Sequence, residues 1–439
     1  MLLSPNMQDW LPAKHLARFV VGAVEQLDLR RVEASYEGRG LQAYRPKMLL
    51  ALLIYGYAVG TYSSRKIERG TIDSIAFRYI AANTSPDHDT IADFRLRVLP
   101  ELPKLFLQVL LLAKELGFLK VGQVSLDGTK IKANASKHHA LSYKHIGKTQ
   151  AHLRREIKRL MKLSEQAENE KIDDGLDIPV EIARRETLIQ NLSIAKAKIE
   201  EREAARHAEA RAKHAQRLAD RKAFQKRTGN KPPGFPPKSP KLRVEPTAQI
   251  NLTDEESRIM PSADGFVQGY NAQAAVDTES MLIVAPWVTQ ATNDKEQIAP
   301  TLAAIAELSE NVDQVTDLLA DAGYFSARNV EACEAALIVP YISMARDKHY
   351  SWLAEELAKT ETLPNDASAT DRMRIRLHSK EGREVYSKRK CTVEPAFGII
   401  KSVQQFRSFL LRGLERVSAE WTLVCMAYNF KRLGSMAGA

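Results

Sequence analysis

Cysteine is scarce in this 439-residue chain: Cys333, Cys391 and Cys425 stand far apart, and no CxxC pair occurs. That spacing argues against a zinc site or a disulfide framework and for a reducing compartment. Long apolar runs are missing as well. The most apolar stretch, Leu105 to Ala113, falls well short of the roughly 20 residues a membrane span needs. No basic segment followed by an apolar run and a small-residue cleavage site opens the sequence, so a cytoplasmic protein with no membrane partner is expected. There is no Ser-His-Asp arrangement and no Gly-rich phosphate loop, so no nucleotide cofactor is implied. Positive charge is in excess. A formal net charge of +10 and a pI of about 9.3 favour a polyanionic partner, nucleic acid ahead of membrane. The length allows two or three domains, and a hydrophobic content of 44% is ordinary for a folded chain.

Residues 1 to 118 read as short capped helices. Pro46 opens an apolar one (Met48, Leu49, Leu52, Leu53, Tyr57) that closes near Gly60. Ser63 or Ser64 is placed to cap SSRKIERGTIDSIAFRYIA, with an interruption at Gly70. Asp87 or Asp89 is placed to start TIADFRLRVLPEL, and Gly117 closes LPKLFLQVLLLAKEL. Arg65, Lys66 and Arg69 lie along one helix, Arg95 and Arg97 along another. Such a pattern suits a helix that enters a major groove, but from the residues alone the solvated basic face of a bundle is the favoured reading.

From about residue 138 to 250 the composition changes. Leu153, Ile157 and Leu160 form one helical stripe; Leu188, Leu192, Ala195 and Ile199 form another, with Gly175 as a stop and Pro179 as a restart between them. A long antiparallel hairpin is expected. KPPGFPPKSP then breaks regular structure as a semi-rigid connector. Residues 137 to 250 hold 26 Lys/Arg against 15 Asp/Glu, which localises the basic surplus here. Solvation, contact with DNA phosphates and dimerisation through the hairpin all fit.

The remaining chain alternates strands and helices. VGQVSLDGTKIKANAS reads as a strand ending near Asp127-Gly128, and an Asp there is either a turn residue or a rigidly held carboxylate. His138 and His139 are adjacent, point apart and read as surface residues. GFVQGYNAQAAVD and SMLIVAPWVTQ flank Thr278-Glu279 as a hairpin, and Asn293 or Asp294 caps the helix that follows. QVTDLLAD is a strand ending at Asp321, with Asp317 a rival of the same parity; a helix starts at Ser326, and ALIVPYIS is a further strand. After the loop-like ETLPNDASATD, RMRIRL is expected as a strand with Arg372, Arg374 and Arg376 on one face, a cationic edge suited to a polyphosphate. In YSKRKCTVEPAFGIIK, Thr392 is a candidate N-cap and Pro395 suits a first turn. A helix should open there, with Glu394 in its first turn, Lys401 two turns on and Arg389 just upstream. A carboxylate so placed either complements the helix dipole or holds a divalent metal while the cations hold phosphate. Trp421, Leu423, Val424, Met426, Tyr428 and Phe430 read as the core of a closing helix.

Several of these stretches resemble one family. YSSRKIER…FRYIAANTSPDHDTIADFR resembles the N-terminal domain of insertion-sequence transposases, and DGTKIKANAS and DAGYFS resemble the surroundings of their first and second catalytic Asp. Tyr386, Arg389, Glu394 and Lys401 resemble the family's Tyr-Arg-Glu-Lys signature, with four residues between Arg389 and Glu394 where the commonest form has three. From about residue 40 to 433, insertion excepted, the chain resembles the DDE transposases of bacterial insertion sequences, near the groups numbered five and eleven-eighty-two.

The resemblance implies an α/β fold with a ribonuclease-H-like (retroviral-integrase-like) mixed sheet, whose strand order the elements above follow. It implies a helical DNA-binding domain (1–118), a catalytic domain (119–137 and 251–439) and a charged helical insertion (138–250) between the first and second strands. Asp127, Asp321 and Glu394 would be catalytic acids holding two Mg²⁺, or Mn²⁺ in their place. Tyr386, Arg389 and Lys401 would grip phosphate near the cut, with Arg372, Arg374, Arg376 and Arg65, Lys66, Arg69 as further DNA contacts. The implied activity is cleavage at terminal inverted repeats and strand transfer into target, by a homodimer on double-stranded DNA in the bacterial cytoplasm at the nucleoid. A metal-dependent nuclease without joining and an inactive DNA-binding regulator are the alternatives.

Overall fold

The computed structural model describes residues 9–36, 44–170, 177–232, 234–262, 265–344 and 368–438, with the side chains of 165–170 excepted. The expected stop at Gly175 and most of ETLPNDASATD lie outside the described residues. The chain folds as two compact units, Met1–Asn134 with Ile259–Ala439, and Ala135–Arg258.

In the first unit, helices α1 (Leu16–Glu25), α2 (Arg30–Ala34), α3 (Pro46–Ala58), α4 (Ser64–Asp73), α5 (Ile75–Ile80), α6 (His88–Val98) and α7 (Leu102–Glu115) precede the first strand. Pro46 opens α3 at a position where its missing N–H costs nothing. Every residue from Leu49 to Ala58 is buried, because neighbours cover the helix on all sides. Asp87, not Asp89, caps α6 by accepting from the Thr90 N–H at 2.8 Å. The interruption expected at Gly70 does not occur: α4 runs through it to Asp73 and the chain breaks at Ser74. Gly70 is there for space, since a Cβ would stand 2.9 Å from the Phe77 ring. Arg95 is also not on a solvent-facing strip. It is buried, donates to the Tyr62 carbonyl at 2.7 Å and lies over the Tyr57 ring.

The second unit is the charged segment. Strand β1 (Gln123–Lys132) leads into it, and a short antiparallel pair, β2 (Ala140–Ser142) with β3 (Gln249–Asn251), ties its two ends together. Between them α8 (Tyr143–Glu170) and α9 (Ile178–Thr228) pack as a hairpin over Ile146, Leu153, Leu192, Ala195, Ile199 and Ile250. Pro179 lies in the first turn of α9, Asp177 caps that turn through the Val180 N–H, and left-handed Gly229 ends the helix. Leu188, read as part of the stripe, is 42% exposed and outside this core.

Strands β4 (Arg258–Ser262), β5 (Gly265–Asp277), β6 (Ile283–Thr289), β7 (Asp317–Ala320) and β8 (Val339–Ile342) complete a mixed sheet of order β4-β5-β1-β7-β8, with β6 also on β5. β1 is antiparallel to β5 and parallel to β7, and β7 is parallel to β8. A mixed α/β fold of this order is consistent with the ribonuclease-H-like expectation. Helices α10 (Ile298–Asn311), α11 (Ala327–Ala335), α12 (Ala369–His378), α13 (Lys380–Gly398) and α14 (Leu414–Met436) follow in the crossovers and at the end. α14 is the central one: buried along most of its length, it packs against α3 and β6. Its Glu420 is fully buried and accepts from the Tyr57 hydroxyl and from the Leu410 and Leu411 N–H groups. Each donor orphaned by losing that carboxylate would cost ~1–3 kcal/mol, so the residue ties α3 to α14.

Four expected elements differ. β1 does not end at Asp127-Gly128 but continues to Lys132, because β5 supplies partners as far as Gly269. RMRIRL is helical, forming most of α12 with Ser368 as its N-cap. α10 starts at Ile298 behind Gln297, so neither Asn293 nor Asp294 caps it. The helix expected to open at Thr392 starts at Lys380: Ser379 caps α13, the Thr392 hydroxyl donates back to the Lys388 carbonyl, and Pro395 lies inside the helix. Glu394 therefore sits near the C-terminal end of α13, ahead of a π-helical turn, Ile399–Val403, that carries Lys401.

Candidate active site

β1 and β7 are in parallel register only over Gln123–Ser125, where Ser125 faces Leu319. Counting on from that pair puts Asp127 level with Asp321, just past the end of β7. Asp317 lies at the other end of the shared register, opposite Gln123. Its carboxylate accepts there from Gln123 and Thr316, which separates it from Asp127.

α13 lies across β1 and brings Arg389 to this point. Arg389 Nη2 is 3.4 Å from Asp127 Oδ2 and 3.7 Å from Asp321 Oδ2, and Nη1 is 3.3 Å from Glu394 Oε1. Three carboxylates from distant parts of the chain thus meet at one guanidinium whose side chain is 9% exposed. Each aspartate has its other oxygen fixed by backbone: Asp127 Oδ1 accepts from the Gly128 N–H at 2.7 Å, and Asp321 Oδ1 from the Gly323 N–H at 2.8 Å. Burial pushes the Asp127 carboxyl up to about 6, and the charges of Asp321 and Asp294 act in the same direction. The Gly128 N–H and Arg389 oppose the shift without cancelling it.

The other signature residues gather here as well. Lys401 is half-buried, and desolvation lowers its pKa against the pull of Asp127. Burial raises the Tyr386 phenol, which is hydrogen-bonded to Ser343 and feels Arg389, Asp321 and Asp127. Arg372, Arg374 and Arg376 do not share the face of a strand. On a helix, Arg372 and Arg376 are one turn apart and both clasp Glu334 of α11, at 2.6 and 3.1 Å; Arg374 pairs with Asp371 at 2.9 Å. Arg65, Lys66 and Arg69 are exposed on α4, with Arg69 3.1 Å from Asp73.

One cluster was not foreseen. Asp294 Oδ1 accepts from Asn271 Nδ2 at 2.7 Å and Gln273 Nε2 at 2.6 Å, and lies 3.6 Å from Lys130 Nζ. Gln273 Oε1 in turn accepts from the buried Tyr324 hydroxyl at 2.5 Å. A Cβ on Gly128 would stand 2.0 Å from Gln273 Nε2, so only glycine lets this network close against β1. A sequence signal existed: Asn271 and Gln273 are polar at alternate positions of an otherwise apolar strand, on one face of the sheet.

Among the described residues no group of three or more His, Cys, Asp or Glu side chains is arranged to hold a metal ion. The donor set nevertheless suits one. Three carboxylates offer only hard oxygen ligands, the kind Mg²⁺ and Mn²⁺ take, and the charge they need is supplied here by Arg389. No helix among the described residues is long and apolar enough to cross a membrane.

Comparison with known proteins gives two family models that match the chain. A family model described as a transposase DDE domain matches residues 238–430, a span that contains Asp321, Arg389, Glu394 and Lys401. A second, described as a transposase domain (DUF772), matches residues 5–97, most of the helical segment. Neither the curated proteins nor the solved structures gave a match. That family typically uses divalent metal ions and acts on DNA. A DDE domain behind an N-terminal transposase domain fits a DDE transposase of an insertion sequence.

Proposed function

We propose that this chain binds the terminal inverted repeats of its element, cuts DNA there and joins the freed end to a target, with Asp127, Asp321 and Glu394 as its catalytic acids. The observation that carries the reading is their meeting at Arg389. All three carboxylates face one cation, the Arg389 guanidinium, and a divalent ion in its place would find only hard oxygen ligands. Two Mg²⁺ held by them, or Mn²⁺, would supply activation of the attacking hydroxyl and stabilisation of the leaving 3′-oxygen.

The chain's own residues do the rest. Backbone N–H groups fix one oxygen of each aspartate, so the second oxygen is aimed before any ligand arrives. Lys401 and Arg389 grip phosphate near the cut, and Tyr386 positions the terminal nucleotide. Residues 1–118 read the repeat, with Arg65, Lys66 and Arg69 on the DNA; residues 119–137 and 251–439 form the catalytic domain, and 138–250 the insertion. Both element ends must be held together, so the acting species is a homodimer.

The test is a joining reaction. With Mg²⁺, a duplex carrying the repeat that brackets the gene, and a supercoiled plasmid, the chain is expected to give plasmid covalently joined to the repeat end. Nicked repeat DNA without joined product would reduce the protein to a nuclease; no cleavage of any repeat-bearing duplex would remove the enzymatic reading.

A further inference from the structure

Past Ile199 the α9 helix has no apolar stripe left, and its charge stops balancing. From Glu203 to Arg243, the distal arm and the connector behind it carry 12 Lys/Arg against 3 Asp/Glu. All of those cations are exposed except half-buried Arg221. The proximal part of the hairpin differs: there Arg185 pairs with Glu181 and Glu156, Lys198 with Glu255, and Lys196 with Glu200. A solvated helix face is usually laced with such pairs. In the arm, Glu203 and Glu209 take up Arg206 and Lys213, and Asp220 accepts from Gln216.

The connector adds to the surplus instead of dispersing it. Arg221 Nη2 donates to the Pro232 and Gly234 carbonyls at 3.2 and 2.9 Å, and His214 Nε2 lies 3.1 Å from the Pro237 carbonyl. Lys231 and Lys238 are thereby carried back along the helix. A concentration of like charge on a rigid rod is self-repelling until a polyanion neutralises it. A membrane surface would require an apolar face, and a coiled-coil partner an apolar heptad; the exposed arm has neither. Its length fits a duplex: 26 helical residues from Glu203 to Thr228 span ~39 Å, close to one turn of B-DNA at ~34–36 Å.

We propose that the distal arm of α9 and its folded-back connector form a sequence-independent docking surface for the phosphate backbone of duplex DNA. This rests on the reading of the chain as an enzyme that acts on DNA, and is tested separately from it. In the full-length protein, Arg217, Lys222, Lys226 and Arg227 are replaced together by Gln, a comparable helix former. Binding to a generic duplex lacking the repeat is then followed between 50 and 200 mM salt. At ~0.9 in log–log slope per phosphate contact, the salt dependence is expected to flatten by about 3 to 4. Affinity should fall at least about 100-fold at the low-salt end, with helix content and sedimentation unchanged. An unchanged slope overturns the proposal, and so does a lost slope accompanied by loss of a dimer, which would make the arm an oligomer interface. Failure of the catalytic reading shows elsewhere: the parent protein would then cut no repeat DNA, whatever the slope.

Discussion

Replacing Asp321 by Asn is expected to reduce cleavage of repeat-bearing DNA by at least about 1,000-fold, ~4 kcal/mol of barrier, with duplex affinity within about twofold. The change removes one charge and keeps the side chain's size. Asn also preserves a carbonyl oxygen for the Gly323 N–H. Asp127→Asn should lose as much activity for a different balance of reasons. Burial has already pushed that carboxyl up to about 6, so its ionisation at neutral pH costs the folded state more than the unfolded one. A raised folded pKa means stability falls as pH rises through it, and neutralisation removes that penalty. Asp127→Asn should therefore melt at or above the parent at pH 7.5 while cleavage falls by the same factor. A large fall in melting temperature would instead make Asp127 a structural residue, and retained cleavage would remove it from the site.

Arg389→Ala carries the second large effect, in opposite directions for two readouts. The guanidinium contacts all three acids where a divalent ion would need them, so it competes with that ion. Its removal should tighten Mn²⁺ binding to the DNA-free protein by about tenfold or more, ~1.4 kcal/mol. DNA cleavage should fall, because the phosphate contact proposed for Arg389 is lost with the same side chain. Arg389→Lys, keeping the charge on a shorter, single-point donor, should lie between. Titration of the Mn²⁺ electron-spin signal reads the first effect without any turnover. Unchanged or weaker Mn²⁺ binding in Arg389→Ala would mean that the arginine does not block a cation site.

Much of the candidate site could be read from the sequence because its acids stand on strongly patterned elements. Asp127 follows an alternating run and Asp321 ends an apolar one, and parallel register alone then makes them level. The structure brings Glu394 to them, but not as the first turn of a helix. Pro395 was the misleading residue: its preference for a first turn is real, yet the Ser379 cap starts α13 earlier and the proline is carried inside. RMRIRL failed for a related reason. Arginines at alternate positions satisfy strand parity, but the first and last are also one helical turn apart, and both reach Glu334. The run is also rich in good helix formers, Arg, Met and Leu, behind the Ser368 cap, and the two cations hold the Glu334 carboxyl below the usual range. Asp294 was hidden because an Asp before an amphipathic run reads as a cap. Only the fold shows that Asn271 and Gln273 claim its oxygen.

The central idea is that this guanidinium stands in for bound metal among three acids. Crystals of the protein with its repeat end and Mn²⁺, measured at the manganese absorption edge, test it most directly. Anomalous peaks ligated by Asp127, Asp321 and Glu394, with Arg389 turned onto a DNA phosphate, are the predicted result. Manganese bound elsewhere, with Arg389 still holding all three carboxylates, would contradict it.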